Sequence, residues 1–252
     1  MKRLNVVVPY RAREQHLAIF VQMVRAYFAR DKLDREIPYR VLIVEQENGL
    51  PFNRGALKNI GFVLGREASD YTCFHDVDYI PVWADYSWSD APVGIVWHGA
   101  ENRPIRVNRP DRGVRHDLAN FYGGAALTPN DLFAQVNGYT NAHWGWGPDD
   151  LDLKHRFAAA GIAMGRRKGT FQPLNHDSEA FEVDGSPSKA ARVNLKQMKD
   201  RWEGGVASPQ DGLADLAFEV LNRRKVPEGP IVERPADWEM VTVRLAVSPP
   251  KA

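Results

Sequence analysis

Apolar residues in the first half of the chain fall into two patterns, short continuous runs and helical spacing. Residues 4–8 and 40–45 are runs of mostly β-branched or aliphatic side chains, which is typical of strands buried on both faces. Between these runs, residues 14–30 place apolar side chains every three or four positions, which predicts a helix with one face against a sheet. The order predicts a β-loop-α-β unit, the beginning of a parallel sheet, with residues 9–13 in the connecting loop.

The same two patterns continue to the end of the chain. They predict four further strands, at residues 71–75, 93–98, 121–127 and 238–247. They predict five further helices, at residues 53–64, 129–136, 149–160, 189–201 and 212–222. Residues 101–116 and 171–186 have neither pattern and are expected to be irregular, the first of them as a surface loop. Because no repeat and no linker is visible, we expect one α/β domain.

Composition and charge restrict the class of protein. With 252 residues, 44% of them hydrophobic and 26% charged, the chain is typical of a soluble globular protein. The formal net charge of +1 argues against nucleic-acid binding, which usually needs a strongly basic domain. Cys73 is the one cysteine, which excludes an internal disulfide and favours a reducing cytoplasm. Residues 4–8 are too short for a signal peptide or a membrane span, so any membrane contact is expected to be peripheral.

Residues 144–152, with the sequence WGWGPDDLD, hold the densest set of chemical groups in the chain. The proline and the acids after it predict the start of a helix. Trp144 and Trp146 offer apolar ring faces that stack on sugars, and carboxylates such as those of Asp149 and Asp150 accept hydrogens from sugar hydroxyls. The stretch is therefore a candidate sugar site. The alternative is a helix cap with two core tryptophans.

Asp76 and Asp78 follow the predicted strand at residues 71–75, at its carboxyl end. Their spacing of two directs both carboxylates to one side, and ligands of open α/β sheets bind beyond such strand ends. Two carboxylates there suit Mn²⁺ or Mg²⁺ bridging a substrate pyrophosphate, and His176 is a candidate third ligand. The alternatives are a turn with solvated acids and a histidine with a structural role.

Basic side chains accompany three predicted loops or boundaries. Arg11 and Arg13 follow the first strand, where guanidinium groups can hold phosphate or uracil oxygens. Residues 52–54 (FNR) open the second helix, with Asn53 as its N-cap. The five arginines of residues 103–115 could attract an acidic acceptor. The alternatives are, respectively, a solvated turn, a helix cap alone and a solvated loop.

An ordered set of segments resembles one enzyme family, the β-1,4-galactosyltransferases. The segments are, in chain order, VVVPYRAREQHL, FNRGALKNIGF, FHDVDYIP, FYGGAALT, NGYTNAHWGWGPDDLD, NHD and DGLADLAFEVL. The resemblance covers about residues 4–247 and implies the GT-A glycosyltransferase fold of these animal Golgi enzymes, a Rossmann-like, mostly parallel central sheet flanked by helices. It also implies one domain over residues 1–252, with a nucleotide-binding part at about 4–127 and an acceptor and catalytic part at about 128–247.

The resemblance implies a role for each motif. Asp150 would be the catalytic base, Asp149 would hold the acceptor sugar, and Trp146 would close over the donor and acceptor sugars. Asp78 would bind Mn²⁺, or Mg²⁺, together with His176. The nucleotide and the sugar of a UDP-sugar donor would be bound by Pro9, Tyr10, Arg11, Arg13, Phe52, Arg54, Asp76, Phe121, Gly123 and Gly124.

The implied reaction is an inverting, metal-dependent transfer of galactose from UDP-galactose to a sugar hydroxyl of a glycan or glycolipid acceptor, through a β-1,4 linkage. The nearest alternative is the same fold with UDP-N-acetylgalactosamine or another UDP-sugar as donor, in polysaccharide synthesis. Alternatives from other classes are a non-catalytic carbohydrate-binding protein and a nucleotide-sugar hydrolase or pyrophosphorylase. The acceptor is expected to be acidic if the arginine-rich loop binds it.

The sequence departs from the family pattern at several positions. No methionine or histidine precedes His176 as a further metal ligand, because residues 173–175 are PLN. Leu151 replaces an acid, and Phe121 replaces a tyrosine that helps to select galactose over N-acetylgalactosamine. Asp152 is expected at the helix surface or behind the site. The disulfides and the membrane anchor of the family have no counterpart in the sequence, so we expect a soluble, cytoplasmic, bacterial relative.

Overall fold

A computed structural model describes residues 1–30, 37–47, 49–96, 122–174, 182, 186–204, 210–226 and 237–246. The strands in these ranges are β1 (Leu4–Tyr10), β2 (Tyr39–Gln46), β3 (Tyr71–His75), β4 (Tyr79–Ala84), β5 (Val93–Gly94), β6 (Ala125–Pro129), β7 (Gly165–Arg166), β8 (Gly169–Pro173), β9 (Phe218–Lys225) and β10 (Asp237–Leu245). The α-helices in these ranges are α1 (Glu14–Arg30), α2 (Arg54–Gly65), α3 (Asn130–Gln135), α4 (Asp149–Ala159) and α5 (Lys189–Glu203). None of these helices has both the length and the apolar composition needed to cross a membrane.

Eight of the described strands form the central sheet, in the order β7-β5-β6-β3-β1-β2-β10-β9. β1 runs parallel to both β2 and β3, and β2 runs parallel to β10. β6 and β9 run antiparallel to β3 and β10, respectively. β4 and β8 pair separately as an antiparallel ribbon. The mostly parallel sheet with flanking helices confirms the expected fold class.

Helices cover the central sheet on both faces. Alternate residues of β1 point to opposite faces, so Val6 and Val8 share a core with Phe20 of α1, whereas Val7 shares a core with α2. Each of these side chains is fully buried, which stabilises the fold by about 1.5–3 kcal/mol per side chain. α2 lies so close to β1 that a Cβ at Gly61 would be 2.2 Å from Cγ1 of Val7. The lack of a side chain at Gly61 therefore allows α2 to pack this closely against β1.

Most predicted elements are confirmed, with changes at their ends. α1 has the predicted bounds, and α3, α4, α5 and β10 differ from prediction by at most two residues at each end. The prediction places Pro9 and Tyr10 in a loop, whereas both extend β1 because β2 continues alongside them. The strand predicted at residues 121–127 begins only at Ala125, because Gly124 adopts φ +77°, which is not an extended conformation.

Two predictions in the second half of the chain are wrong. Residues 212–222 do not form a helix but a turn followed by β9, because β9 completes an antiparallel ladder with β10. Gly212 also adopts φ +141°, which a helix excludes. Residues 171–186, predicted to be irregular, begin within β8, which pairs with the unpredicted β4. The predicted arginine-rich loop at residues 101–116 lies outside the described residues.

Candidate active site

α2 presents two basic side chains towards the acids that follow β3 and begin α4. Asn53 caps this helix, since its Oδ1 accepts a hydrogen bond from the amide of Ala56 (2.9 Å). Gln46, the last residue of β2, holds the cap in place by accepting a hydrogen bond from the amide of Asn53 (2.8 Å). Arg54 and Lys58 then lie one turn apart on the same face of the helix.

The Trp-Gly-Trp-Gly stretch forms a sharp bend that is held through its backbone. Gly145 adopts φ +75° and donates its amide hydrogen to the carbonyl of Phe52 (2.7 Å). Nδ2 of Asn194, on α5, donates to the carbonyls of Trp144 (3.1 Å) and Trp146 (2.7 Å). Trp144 is buried, as the core alternative predicts, whereas Trp146 is 37% exposed. The backbone of the bend is therefore fixed while one indole remains accessible to solvent.

Three aspartates from two distant motifs meet the basic face of α2. Arg54 Nε donates to Oδ2 of Asp149 (2.9 Å). The terminal nitrogens of the same guanidinium lie 3.5 Å from carboxylate oxygens of Asp76 and Asp150. Lys58 Nζ lies 3.1 Å from Oδ1 of Asp150 and 3.6 Å from Oδ1 of Asp76. We call these five residues the carboxylate cluster. It joins an acid at a strand end to the acids at a helix start.

The acids of the carboxylate cluster differ in their electrostatic surroundings. Burial acts to raise the pKa of Asp149, but the charge of Arg54 and the hydrogen bond with His143 Nδ1 (2.8 Å) outweigh it, so this pKa is lowered. Burial raises the pKa of Asp76, against the opposing charges of Lys58 and Arg54. Burial also disfavours the charge of Arg54, yet the surrounding aspartates hold its pKa well above the ordinary value. Asp149 is therefore a fixed negative charge at neutral pH.

Predicted donor-binding residues lie beside the carboxyl end of β1. Arg11 Nη1 donates to a backbone carbonyl of the loop before α2 (2.5 Å), and the Arg11 guanidinium lies 5.2 Å from the centre of the Phe52 ring. Arg13 Nη1 lies 3.3 Å from Oδ2 of Asp78. The amide of Arg13 donates to the hydroxyl of Tyr10 (3.3 Å). Both arginines are half-buried, so the alternative of a solvated turn does not describe them.

Gly123 and Gly124 lie just before β6, next to the acids that follow β3. The amide of Asp76 donates to the carbonyl of Gly124 (2.7 Å). A Cβ at Gly124 would lie 3.0 Å from the ring of Tyr79, so a larger residue would press on the start of β4. The structure thus brings the glycine pair to the strand-end acids.

The remaining predicted site residues are Pro9, Phe121 and His176. Pro9 is buried within β1, beside Val44 of β2. Phe121 and His176 lie outside the described residues.

Asp76 and Asp78 are the candidate metal ligands of the described part. Within the described ranges, no three His, Cys, Asp or Glu side chains gather as a metal site. Oδ1 of Asp76 is buried and accepts no hydrogen bond from any described residue, although Lys58 Nζ is 3.6 Å away. Carboxylate oxygens are ligands that Mn²⁺ and Mg²⁺ prefer. These residues therefore fit a hard divalent cation that takes its remaining ligands from other groups.

Asp152 lies behind the site and not at the helix surface, because its carboxylate is fully buried. Oδ2 of Asp152 accepts from Arg156 Nε (2.9 Å), and Oδ1 accepts from Arg201 Nη1 and Trp202 Nε1 (both 2.9 Å). Asp211 contacts the same two guanidinium groups, at 3.2 and 3.0 Å. This network ties α4 to α5 and to the turn before β9, so it supports the helix that carries the site acids.

Lys58 is a member of the carboxylate cluster that the sequence analysis does not single out. It is only 1% exposed. Its spacing could have identified it, because a helix that presents Arg54 to the site also presents the residue four positions later. A lysine among apolar neighbours is otherwise interpreted as a side chain that reaches solvent.

The sheet order and the acids at its carboxyl edge define the GT-A fold of glycosyltransferases. The catalytic domain of Drosophila β1,4-galactosyltransferase 7, in complex with xylobiose, matches this structure with a TM-score of 0.72 at 23% identity, over 98% of this chain and 96% of that chain. A variant of the same Drosophila enzyme, in complex with manganese, UDP-Gal and xylobiose, matches over the same shares with a TM-score of 0.73 at 23% identity.

Sequence comparisons narrow this class to one family. Residues 1–88 match the N-terminal region of glycosyl transferase group 7, and residues 103–178 match the N-terminal domain of galactosyltransferase. β-1,4-galactosyltransferase 4 of Rattus norvegicus is 29% identical over 230 residues, 88% of this chain and 60% of the relative. β-1,4-galactosyltransferase 7 of Homo sapiens is 30% identical over 210 residues, 81% of this chain and 59% of the relative. The chain belongs to the β-1,4-galactosyltransferase family.

The chain spans about 60% of the length of the curated relatives it matches. These two relatives are mammalian proteins, so the expectation of a bacterial origin finds no support in them.

The lowered pKa of Asp149 predicts a pH-dependent contribution to stability. Its ionised form stabilises the fold above the ordinary pKa of 3.8, and this stabilisation is lost as the pH falls from there through the lowered value of the folded state. Asp149→Asn removes the closest charged partner of Arg54 and leaves Asp76 and Asp150 at 3.5 Å, so we expect the free energy of unfolding at pH 7 to fall by about 1.5–3 kcal/mol. Urea unfolding of wild type and variant between pH 7 and pH 3 measures the difference, which should shrink in acid.

Asp200→Asn is the control for this experiment. Asp200 forms an exposed ion pair with Lys196 on α5 (2.6 Å), so its loss should change the free energy of unfolding little at any pH. If Asp149→Asn and Asp200→Asn lowered the free energy of unfolding by the same amount, the electrostatic role of Asp149 would be contradicted.

Proposed function

We propose that the protein transfers galactose from UDP-galactose to a sugar hydroxyl of a glycan or glycolipid acceptor, with inversion at the anomeric carbon and a β-1,4 linkage. The observation that carries this proposal is the carboxylate cluster, in which a strand-end acid and two helix-start acids share Arg54 and Lys58. A carbohydrate-binding protein would need only the aromatic bend. Membership of the family and the UDP-Gal, manganese and xylobiose of the Drosophila complex support the same reaction.

The donor nucleotide is assigned to the end of β1 and the loop before α2. The Phe52 ring with Arg11 beside it offers an apolar face for uracil and a positive charge for its oxygens. Arg13, 3.3 Å from Asp78, supplies a second guanidinium for the diphosphate. Asp78 and His176 would hold Mn²⁺, which when bound neutralises charge on the leaving diphosphate. Mn²⁺ is proposed in preference to Mg²⁺ because the Drosophila complex contains manganese.

The two acids at the start of α4 are assigned different roles. Both oxygens of Asp149 are engaged, one by His143 and one by Arg54, and only 2% of its side chain is exposed. Asp150 exposes 16% of its side chain, and among the described residues its Oδ2 has only the 3.5 Å ion pair with Arg54. Asp150 is therefore the better base, and Asp149 is a fixed charge that orients the acceptor. A positioned base typically accelerates a reaction by about 10²–10⁴-fold.

The transfer is a single displacement. Oδ2 of Asp150 takes the proton of the acceptor hydroxyl while the hydroxyl oxygen forms a bond to the anomeric carbon. The bond from that carbon to the diphosphate oxygen breaks, and its electron pair leaves with UDP. Trp146, accessible at the bend, closes over the sugars and excludes water, which limits hydrolysis of UDP-galactose.

A cytoplasmic location is part of the proposal. Its support is the single cysteine, Cys73, which is buried and leaves the chain without an internal disulfide. Cell fractionation tests the location, and recovery of the protein inside a membrane-enclosed oxidising compartment would contradict it.

Release of UDP from a panel of UDP-sugars tests the proposed reaction. We expect UDP-galactose to be the best donor, release to require Mn²⁺, and the rate to rise when an acceptor such as xylobiose is added. A preference for UDP-N-acetylgalactosamine would replace the donor but keep the reaction class. Glycan binding without turnover of any donor would favour the carbohydrate-binding alternative and contradict the proposal.

Asp150→Asn tests the base. The substitution keeps the size of the side chain and removes its basicity, so we expect transfer to fall by about 10²–10⁴-fold. The affinity for UDP in the presence of Mn²⁺, measured by calorimetry, should stay unchanged. Asp200→Asn, in an exposed pair on α5, is the control and should transfer at the wild-type rate. Wild-type turnover in Asp150→Asn would show that another group accepts the proton.

Asp78→Ala tests the metal site. We expect the affinity for UDP-galactose to lose its dependence on Mn²⁺, because the substitution removes the proposed carboxylate ligand. Calorimetry with and without Mn²⁺ measures this effect. Asp85→Ala, in a more exposed acid just after β4, is the control and should keep the dependence. If the affinity of Asp78→Ala for UDP-galactose still depended on Mn²⁺, the ion would be bound by other residues.

A further inference from the structure

Lys58 is the member of the carboxylate cluster to which the proposed function gives no role. It is 1% exposed and lies on a helix whose inner residues Ala56, Leu57 and Ile60 are apolar. Lysine is almost never fully buried unless it is paired, because removing an ammonium group from water is costly. An apolar side chain would fill similar volume without that cost. The charge at this position therefore calls for an explanation other than packing.

The ammonium group of Lys58 lies between the two halves of the site. Nζ donates to Oδ1 of Asp150, at the start of α4, over 3.1 Å. Oδ1 of Asp76, which follows β3, is 3.6 Å from the same nitrogen. The ring of Tyr139 lies on a further side, its centre 4.8 Å from Nζ, where the negative ring face favours a cation. Lys58 thus links an acid of the donor side to the proposed base.

Arg54 does not hold Asp150 in the same way. Within the carboxylate cluster, Arg54 Nε donates its close hydrogen bond to Asp149. The terminal nitrogens of Arg54 lie 3.5 Å from the carboxylate oxygens of Asp76 and Asp150. Among the described residues, Lys58 therefore makes the shorter of the two ion pairs with the carboxylate of the proposed base, at 3.1 Å against 3.5 Å for Arg54. Because this contact occupies Oδ1 of Asp150, the carboxylate is oriented with Oδ2 as the oxygen left to receive a proton.

We propose that Lys58 is a positioning residue for the transfer reaction. Its ammonium group lies between the carboxylates of Asp150 and Asp76 and holds that of Asp150 in one orientation. In this orientation Oδ2 of Asp150 faces the acceptor hydroxyl. This inference rests on the proposed function, since it takes Asp150 as the base. Lys58 acts through Asp150 and not on the substrates. Its loss should therefore lower the rate of transfer more than the binding of the donor.

Lys58→Met and Lys58→Arg form the matched pair of variants. Methionine keeps the length of the stem and loses the charge, whereas arginine keeps the charge. We expect Lys58→Met to lower kcat about 100-fold, as a misplaced reacting group does, with little change in KM for UDP-galactose. Lys58→Arg should recover part of this loss. Lys196→Met breaks an exposed pair on α5 and should leave kcat unchanged.

A double-mutant cycle separates positioning from general support of the fold. If Lys58 acts through Asp150, adding Lys58→Met to Asp150→Asn should lower the residual rate no further. The double variant removes both charges of the pair, so neither is left buried alone, and thermal unfolding checks that each variant is folded. Lys58→Gln replaces Lys58→Met if the latter does not fold. A similar loss from Lys58→Met in both backgrounds would overturn the inference.

Failure of this inference is distinguishable from failure of the proposed function. If the wild type transfers galactose and Asp150→Asn abolishes transfer, while Lys58→Met keeps the wild-type kcat, the positioning role is wrong and the proposed function stands. If the wild type transfers sugar from no UDP-sugar, the proposed function is wrong and the role of Lys58 fails with it.

Discussion

Two cations on the first turns of α2 hold together acids that reach the site from different parts of the chain. Asp76 directly follows β3, and Asp149 and Asp150 are the first residues of α4. Carboxylates this close repel each other in a partly buried site, where water screens charge poorly. They can share the site because Arg54 and Lys58 lie among them. The packing of α2 on the sheet therefore determines whether the strand-end acid and the helix-start acids are adjacent.

Hydrogen bonds around the carboxylate cluster hold the tryptophan bend and α4 in place. Asn194 and the carbonyl of Phe52 hold the backbone of the tryptophan bend from two sides. The buried carboxylate of Asp152 anchors α4 to α5 behind it. The proposed closure of Trp146 over bound sugars would therefore require rotation of its side chain, or a movement of α5 that breaks the hydrogen bonds of Asn194. A fixed backbone beneath the exposed indole of Trp146 suits the proposed reaction, in which water has to be excluded from the donor.

Sequence patterns predicted the elements whose periodicity is set by burial against the sheet. β1, α1 and β3 follow from their apolar spacing, and the strand-end acids follow from β3. β9 was missed because its ladder with β10 overrides the local pattern, which also fits a helix. The sequence did not single out Lys58 and left two alternatives open for Asp152, because a buried charge is decided by partners distant in sequence. The convergence of strand-end and helix-start acids on α2 followed only from the fold.

The cap at Asn53 sets the rotational phase of α2. Gln46 belongs to β2 and holds both the amide of Asn53 and the carbonyl of Pro51, so the helix starts at a point fixed relative to the sheet. Each residue turns an α-helix by about 100°, so one residue inserted between the cap and Arg54 would swing both cations away from the acids. An insertion before Pro51 would leave the phase of the helix intact. The loop ahead of the cap can therefore change in length, and with it the shape of the proposed nucleotide pocket, without disturbing the arrangement of charge.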